Sequence, residues 1–458
     1  MSGDPSTGDA VTRAYFEACE TGDLAEAVWK APFPRSFRDL WWDRLLARPL
    51  FIPEAEMNRL VDDLGAYFDL LVDLPERLFG GDLHQYGEAV GMARPRVELL
   101  SRFHSTSPTR FGRADLYRDG DGFKLLEFNV ASDVGGIEYS EFNRSLMEVP
   151  VFEDFAAGFG LSHVHTGKHL ASLWREAAAR AGRGTEPTVA VIGANGNTRT
   201  LEKLLVAMQE MMARLGVPMR VGEIPQVRSR GGRVELNGEP IDIVLRFFTV
   251  DDLWDDPELL SRAEVLFHAH EEDRVLLWTT LDSSLYSNKG AMGLISRARS
   301  EGAFSDRELA LVDRLLPWSR VLGRGTTRCD GEEVDLFEYC RANRADLVLK
   351  PNQGFGGQDV IAGWEVSDRE WRERLARCRE QDWIVQRRVV PREDDIVDVG
   401  TRESRRWAST WGVFLTPAGY GGSMVRGLPV DGPTVLYFGN RDARSTGVFT
   451  YPEAEICA

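Results

Sequence analysis

Residues 115–129, DLYRDGDGFKLLEFN, decide how this chain is read. Two strand-like runs flank Asp-Gly-Asp-Gly, which predicts a β-hairpin. Side chains along a strand alternate with period two, so Glu127 and Asn129 are expected on the face that carries Phe123 and Leu125. Two polar groups at the end of an apolar face need partners. A three-residue loop of Gly120, Asp121 and Gly122 sets Asp115 opposite Glu127 and Arg113 opposite Asn129, whereas a two-residue loop would offset that register. An Asp, a Glu and an Asn gathered beside an Arg supply the oxygen ligands that a hard divalent cation such as magnesium takes, together with phosphates and waters. One alternative is a solvent-exposed hairpin whose polar residues hold nothing. Another, a calcium loop starting at Asp115, fails on spacing, because Tyr117 and Leu126 fall where an EF-hand needs oxygen ligands.

The rest of the chain bounds what such a hairpin serves. At 458 residues it is long enough for two or three units of about 150 residues. Hydrophobic residues at 43% and charged residues at 28% fit a globular protein with a large core. A net charge of -17 argues against a nucleic-acid-binding surface, which needs a basic face. Cys19, Cys329, Cys340, Cys378 and Cys457 are scattered, odd in number and free of any C-x-x-C pair, as expected for reduced thiols in a cytoplasmic protein. The opening MSGDPSTGDA lacks the layout of a signal peptide, and no apolar run approaches the roughly 18 residues of a membrane span. A homodimer is the ordinary expectation for an enzyme of this size.

Apolar spacings of three and four make residues 10 to about 105 mostly helical, with breaks at Pro32, Pro34, Pro49 and Pro53. Helices are also expected in 138–159 and 165–182. After a linker at AGRGTEP, the run TVAVIGANGN (188–197), the helical LEKLLVAMQEMMARLG and the strand VPMRVGEI read as the start of a parallel α/β unit, which IDIVLRFF (241–248) extends. Helices from about 265 lead to a strand ending in Lys350, a glycine loop and further strands in DWIVQRRVV and STWGVFLTP.

Several other motifs admit two readings. GANGN completes neither G-x-G-x-x-G nor a P-loop, so it is an anion-binding helix start or a plain strand-to-helix turn. In KPNQGFGGQD (350–359), Gly354, Gly356 and Gly357 make either a phosphate-covering loop or a glycine hairpin. YSNKG offers Lys289, and GYGGSMVRG ends in Arg426; each alone also fits an ordinary surface segment. Arg246 is a charge inside an apolar strand, a position that calls for a partner or a ligand. The H-x-H pairs at 163–165 and 268–270 lack a metal-ligand context and read as ordinary histidines.

In chain order these are R-x-D, then E-x-N, S-N-K-G, K-P-x-x-G-x-G-G, V-Q and a glycine-rich segment with Arg. The order resembles the ATP-grasp ligases, in particular the circularly permuted branch that includes the synthetase domain of glutathionylspermidine synthase, because the acidic hairpin precedes both lysines. The resemblance covers roughly residues 100 to 430. It implies an α/β (α+β) ATP-grasp fold with a Rossmann-like pre-ATP-grasp unit. The expected division is a helical region at 1–105, the metal hairpin with helices at 106–180, the Rossmann-like unit at 187–260 and the nucleotide-binding part at 265–458.

By the same resemblance Asp115, Glu127 and Asn129 hold two magnesium ions on ATP. Arg113 contacts phosphate or the acyl group, and Lys289 and Lys350 neutralise phosphates. The loop 353–358 closes over them with Gly354, Gly356 and Gly357, Gln386 lies on the adenine-binding strand with backbone groups at 383–387 reading the base, and Arg426 stabilises late charge. The implied reaction joins a small-molecule carboxylate to an amine through an acyl phosphate. The chain departs from glutathionylspermidine synthase in three ways: it has no expected amidase domain, its N-terminal helical region has no counterpart, and QGFGGQD contains no cationic residue. The favoured expectation is therefore a stand-alone ligase of amino acids or small peptides, with ASDVGGIEYSE (131–141) and Arg246 lining the substrate pocket. A polyamine ligase and a non-catalytic ATP-binding regulator are the alternatives.

Overall fold

The computed structural model describes residues 9–105, 108–323, 325–329, 331–354, 356–378, 382–437 and 440–453. Cys457, most of the polar N-terminal segment and Phe355 of the glycine loop lie outside the described residues. The chain is mixed α/β, with helices packed on several sheets. The largest sheet has seven strands, six of them in the order Leu50–Pro53, Arg444–Tyr451, Gly419–Pro429, Ser404–Thr416, Gly112–Arg118 and Phe123–Asn129. Glu393–Val397 adds to Ser404–Thr416. Every pairing in it is antiparallel except that of Leu50–Pro53 with Arg444–Tyr451.

The hairpin forms as expected, with a correction. Arg113 pairs with Asn129 and Asp115 with Glu127, but Leu116 pairs with Leu125, so Leu126 is an extra residue bulged out of the ladder. Asp119 N–H bonds the Gly122 carbonyl at 2.8 Å, closing a turn longer by one residue than the predicted loop, and the bulge restores the register beyond it. Its consequence is that alternation breaks. Phe123, Leu125 and Phe128 enter the main core, whereas Glu127 and Asn129 lie on the opposite face, with Arg113 and Asp115. The expectation that Glu127 shares a face with Phe123 and Leu125 is therefore wrong.

A second sheet is four-stranded and wholly parallel, ordered Leu276–Leu277, Ile243–Phe247, Val189–Gly193, Met219–Glu223. Val189, Val191, Ile243 and Leu245 pack on one side with Leu170, Trp174 and Met208 of the helices Thr166–Arg180 and Glu202–Arg214. Ala190, Ile192 and Val244 pack on the other with Leu259 and Leu266 of Pro257–Glu271. Strands covered on both faces read as continuous apolar runs, which is why this unit was visible in the sequence. In the GANGN turn, the N–H groups of Gly196 and Thr198 donate to the Glu223 carboxylate at 3.4 and 3.2 Å, so the chain itself fills the anion position.

The third sheet is antiparallel: Ser319–Val321, Trp383–Arg387, Leu347–Pro351 and Ile361–Ala362. It stands across a cleft from the large sheet. The N-terminal region is helical as predicted, including the 26-residue Glu54–Phe79, but it also donates Leu50–Pro53 to the edge of the large sheet. On the next strand, a Cβ at Gly447 would stand 1.8 Å from Asn143 Oδ1 and 2.7 Å from Phe142 Cδ1, both on the helix Ser140–Met147. Gly447→Val is expected to cost about 1–3 kcal/mol through overpacking, read as a lower urea midpoint at unchanged slope.

Candidate active site

Between the large sheet and the third sheet lies a cavity of about 590 Å³. One wall is the polar face of the hairpin. Asp115 is 4% exposed; Arg113 forks onto it, with Nε at 2.6 Å from Oδ1 and Nη2 at 2.9 Å from Oδ2. Arg426 reaches the same carboxylate at 3.1 Å from two strands away, because Gly412 on the intervening strand carries no side chain to block Arg113. A Cβ there would meet Arg113 Cδ at 3.0 Å. Burial works against the Arg113 charge, yet Asp115 and Glu127 outweigh it and raise its pKa. Arg426 moves the other way, lowered by burial and by the like charge of Arg113.

The opposite wall supplies two lysines. Lys350 ends the buried strand Leu347–Pro351, and Lys289 opens the helix Lys289–Ala298. Lys289 Nζ lies 3.2 Å from Glu127 Oε2 and donates to the Gly354 carbonyl at 2.8 Å. Lys350 Nζ donates to Gln386 Oε1 at 2.7 Å and to the carbonyl of the bulged Leu126 at 3.1 Å. Burial raises the Glu127 carboxyl, but Lys289 and Lys350 prevail and hold it at about 2. Burial lowers Lys350 to about 8 despite the attraction of Glu127.

The residues assigned to metal and phosphate by resemblance reach this cavity or its rim, whereas Arg246 lines a smaller neighbouring cavity. Arg113, Asp115, Glu127, Asn129, Lys350, Gln386, Arg426 and Gly354, Gly356 and Gly357 line the larger one, and Lys289 joins through Glu127. Gln386 arrives differently from expectation. Its side chain is 1% exposed and is spent on Lys350 and on Ser319 Oγ at 3.2 Å, so it positions a lysine. The backbone of Trp383–Arg387 is likewise committed: it pairs on both sides, Arg387 N–H donates to the Trp318 carbonyl, and Trp383 accepts from Leu322. After the strand, Arg388 N–H donates to the Asp346 carbonyl at 2.8 Å and Val389 lines the cavity.

Oxygen donors here are the Asp115 and Glu127 carboxylates and the Asn129 amide oxygen; the Asn129 nitrogen donates to Glu127 at 3.3 Å. Among the described residues, no group of three or more His, Cys, Asp or Glu is placed to hold a metal. Two carboxylates with one amide still fit magnesium, which keeps waters and takes substrate phosphates as its other ligands. Both H-x-H pairs are occupied locally: His165 Nδ1 accepts from Lys168 N–H, and His268 sits 3.1 Å from Glu271.

Sequence reading missed Trp41, Arg44, Trp364 and Arg388, whereas Glu138 falls in the segment 131–141 that was expected at the pocket. Trp41 and Arg44 bring the N-terminal region into the cavity wall, and Trp41 Nε1 donates to Glu138 Oε1 at 3.2 Å. Glu138 is fully buried, which pushes its carboxyl up to about 7. Arg388 stacks over Trp364, its Cζ 4.0 Å from the ring centroid. None carries a local motif; only tertiary packing brings them together.

No family model matches the chain. It is 25% identical over 397 residues to an uncharacterized protein of Mycobacterium leprae (strain TN), covering 82% of this chain and 64% of that one. An uncharacterized protein of Mycobacterium tuberculosis (strain H37Rv) gives 26% over 397 residues, covering 82% and 65%. The chain thus spans slightly less than two thirds of the length of these relatives. Among solved structures, a glutathione synthetase-like effector from Globodera pallida superposes with a TM-score of 0.56 at 12% identity, over 98% of this chain and 100% of that one. That likeness is one of fold.

Lys350 gives this site a pH signature. A polyphosphate stabilises the charged ammonium, so binding takes up a proton above about pH 8, and affinity falls as pH rises through that value. Calorimetry with inorganic pyrophosphate in buffers of different ionisation enthalpy is expected to show that proton uptake. Lys350→Met should remove the uptake and leave only the pH dependence that comes from pyrophosphate's own ionisation.

Proposed function

We propose that this chain is an ATP-dependent carboxylate–amine ligase with a circularly permuted ATP-grasp arrangement, forming an amide bond between amino acids or small peptides. The observation that carries the reading is a cavity in which two acids and an amide from a hairpin face Lys350, with Lys289 paired to Glu127 at its edge and Arg113 and Arg426 flanking. Its support includes the fold likeness to a glutathione synthetase-like effector, a protein named after an enzyme of amide synthesis. The order of the elements, hairpin before both lysines, supports the permuted arrangement.

In this reading a substrate carboxylate oxygen attacks the γ-phosphorus of ATP, the bond to ADP breaks, and an acyl phosphate forms. An amine then attacks the acyl carbon, a proton leaves the nitrogen, and phosphate departs. Lys289 and Lys350 exchange their present partners for phosphate oxygens. Arg113 and Arg426, already on one carboxylate, lie where negative charge gathers during transfer, and such fixed donors are the main source of rate in phosphoryl chemistry. Asp115, Glu127 and Asn129 would hold magnesium, which supplies charge neutralisation on the phosphates. Water is kept from the acyl phosphate by the loop containing Gly354, Gly356 and Gly357.

Hydroxylamine tests this directly. With magnesium, ATP and pooled amino acids and short peptides, the protein is expected to yield a hydroxamate and ADP in equal amounts, identified by mass spectrometry. Arg426→Met should lower kcat roughly 100-fold while leaving ATP affinity within a few-fold. ATP binding without ADP or hydroxamate from any pool would instead favour a regulator, and a polyamine accepted in place of an amino acid would favour the polyamine ligase.

A further inference from the structure

A second, small cavity of about 30 Å³ adjoins the large one and shares Asn129, Asp133 and Gly354 with it. Room for about two water-sized groups is also room for a carboxylate or an ammonium. Its walls hold buried polar atoms that nothing satisfies. Arg246, 1% exposed in the middle of the apolar strand Ile243–Phe247, donates through Nη2 to the Thr280 carbonyl at 3.1 Å and to Ser283 Oγ at 3.0 Å, and through Nη1 to the Phe248 carbonyl. Among the described residues its Nε has no partner. Asn288, 2% exposed, caps the helix Lys289–Ala298 through Oδ1, which accepts from Gly290 N–H at 2.7 Å, and its Nδ2 has no partner. Gln353 Oε1 is a third buried atom without one.

Leaving such groups unpaired costs about 1–3 kcal/mol each, more for a charged one, so their clustering in one cavity calls for an occupant. These atoms are two donors, one of them on a guanidinium, and one acceptor. Asp251 Oδ1 also lacks a hydrogen bond but is ion-paired with Arg96 at 2.5 Å, and the Lys289 ammonium in the same wall is paired with Glu127 at 3.2 Å. Beside Arg246, that leaves the carboxyl of Asp133 as the charge without such a partner among the described residues of the lining. A lone anion would satisfy the donors and meet Asp133 unfavourably, whereas a lone cation would do the reverse. A carboxylate and an ammonium on one carbon satisfy both.

We propose that this cavity is a subsite for the zwitterionic head of an α-amino acid, its carboxylate inside on Arg246 and Asn288 and its ammonium on Asp133 at the junction with the large cavity, which Asp133 also lines. Binding of the head stands apart from the ligase reading; only its use as a substrate rests on that reading. The remainder of the molecule then extends past Asn129 into the large cavity, so the group that reacts there is remote from the head.

The test is saturation-transfer NMR on the full chain without nucleotide, against each standard amino acid, with propionate and ethylamine as single-charge controls. At least one amino acid is expected to bind and neither control. Asn288→Asp keeps the helix cap, since Asp and Asn cap equally well, but sets an anion where a donor stood. It should still melt cooperatively, at a lower temperature because the new carboxylate is buried, and weaken binding roughly tenfold or more. Arg246→Met should abolish binding; if it fails to fold, Asn288→Asp decides. No amino acid bound, controls bound equally well, or undiminished binding by a folded Asn288→Asp would each overturn the subsite. An amino acid that binds as expected while ATP and hydroxylamine give neither ADP nor hydroxamate would leave the subsite standing and sink the ligase.

Discussion

Asp115 and Glu127 are two carboxylates in one largely water-excluded cavity, and the cost of burying them organises what surrounds them. Each is neutralised by cations delivered from a different element: Asp115 by Arg113 beside it and Arg426 from two strands away, Glu127 by Lys289 at the start of a helix across the cleft. Charge thereby adds to the hydrophobic core that already joins the large sheet to the helix Lys289–Ala298. The same cations are the groups a polyanion would engage. A phosphate chain entering the cavity therefore competes with the protein's own acids, and the acids released from their partners become ligands for any cation that accompanies it.

The bulge at Leu126 serves this arrangement twice. It turns Glu127 and Asn129 away from Phe123 and Leu125, so the hairpin contributes to the core with one set of residues and to the cavity with the next. Its displaced carbonyl then accepts from Lys350. Bulges beside functional sites commonly re-aim side chains in this manner.

How much of this was legible depended on whether a signal was local. The parallel strands announced themselves as continuous apolar runs, and the long helix Glu54–Phe79 by its spacing of apolar residues. The acids and lysines were found because they sit in short motifs. The bulge was not legible, since alternation read from sequence assumes an unbroken ladder; the pairing of Asp115 with Glu127 was anticipated from a loop length that the structure does not have. Leu50–Pro53 and Ser319–Val321 are too short to carry a pattern of their own. Gln386 looked like a ligand-facing residue, whereas burial on a central strand makes it a support for Lys350. Trp41 and Arg44 could be assigned to the cavity by no motif, because their sequence distance from it is large.

The pairing of Leu50–Pro53 with Arg444–Tyr451 has a kinetic meaning. Leu50 lies beside Val448, about 400 positions later in the chain. Closing so long a loop adds little to the equilibrium cost, which grows only with the logarithm of length, but it is a slow event because it waits on distant partners. During synthesis Leu50–Pro53 cannot pair until residues 444–451 have emerged. The early strand must therefore remain unpaired while about 400 further residues are made, a window in which association with other chains competes with folding.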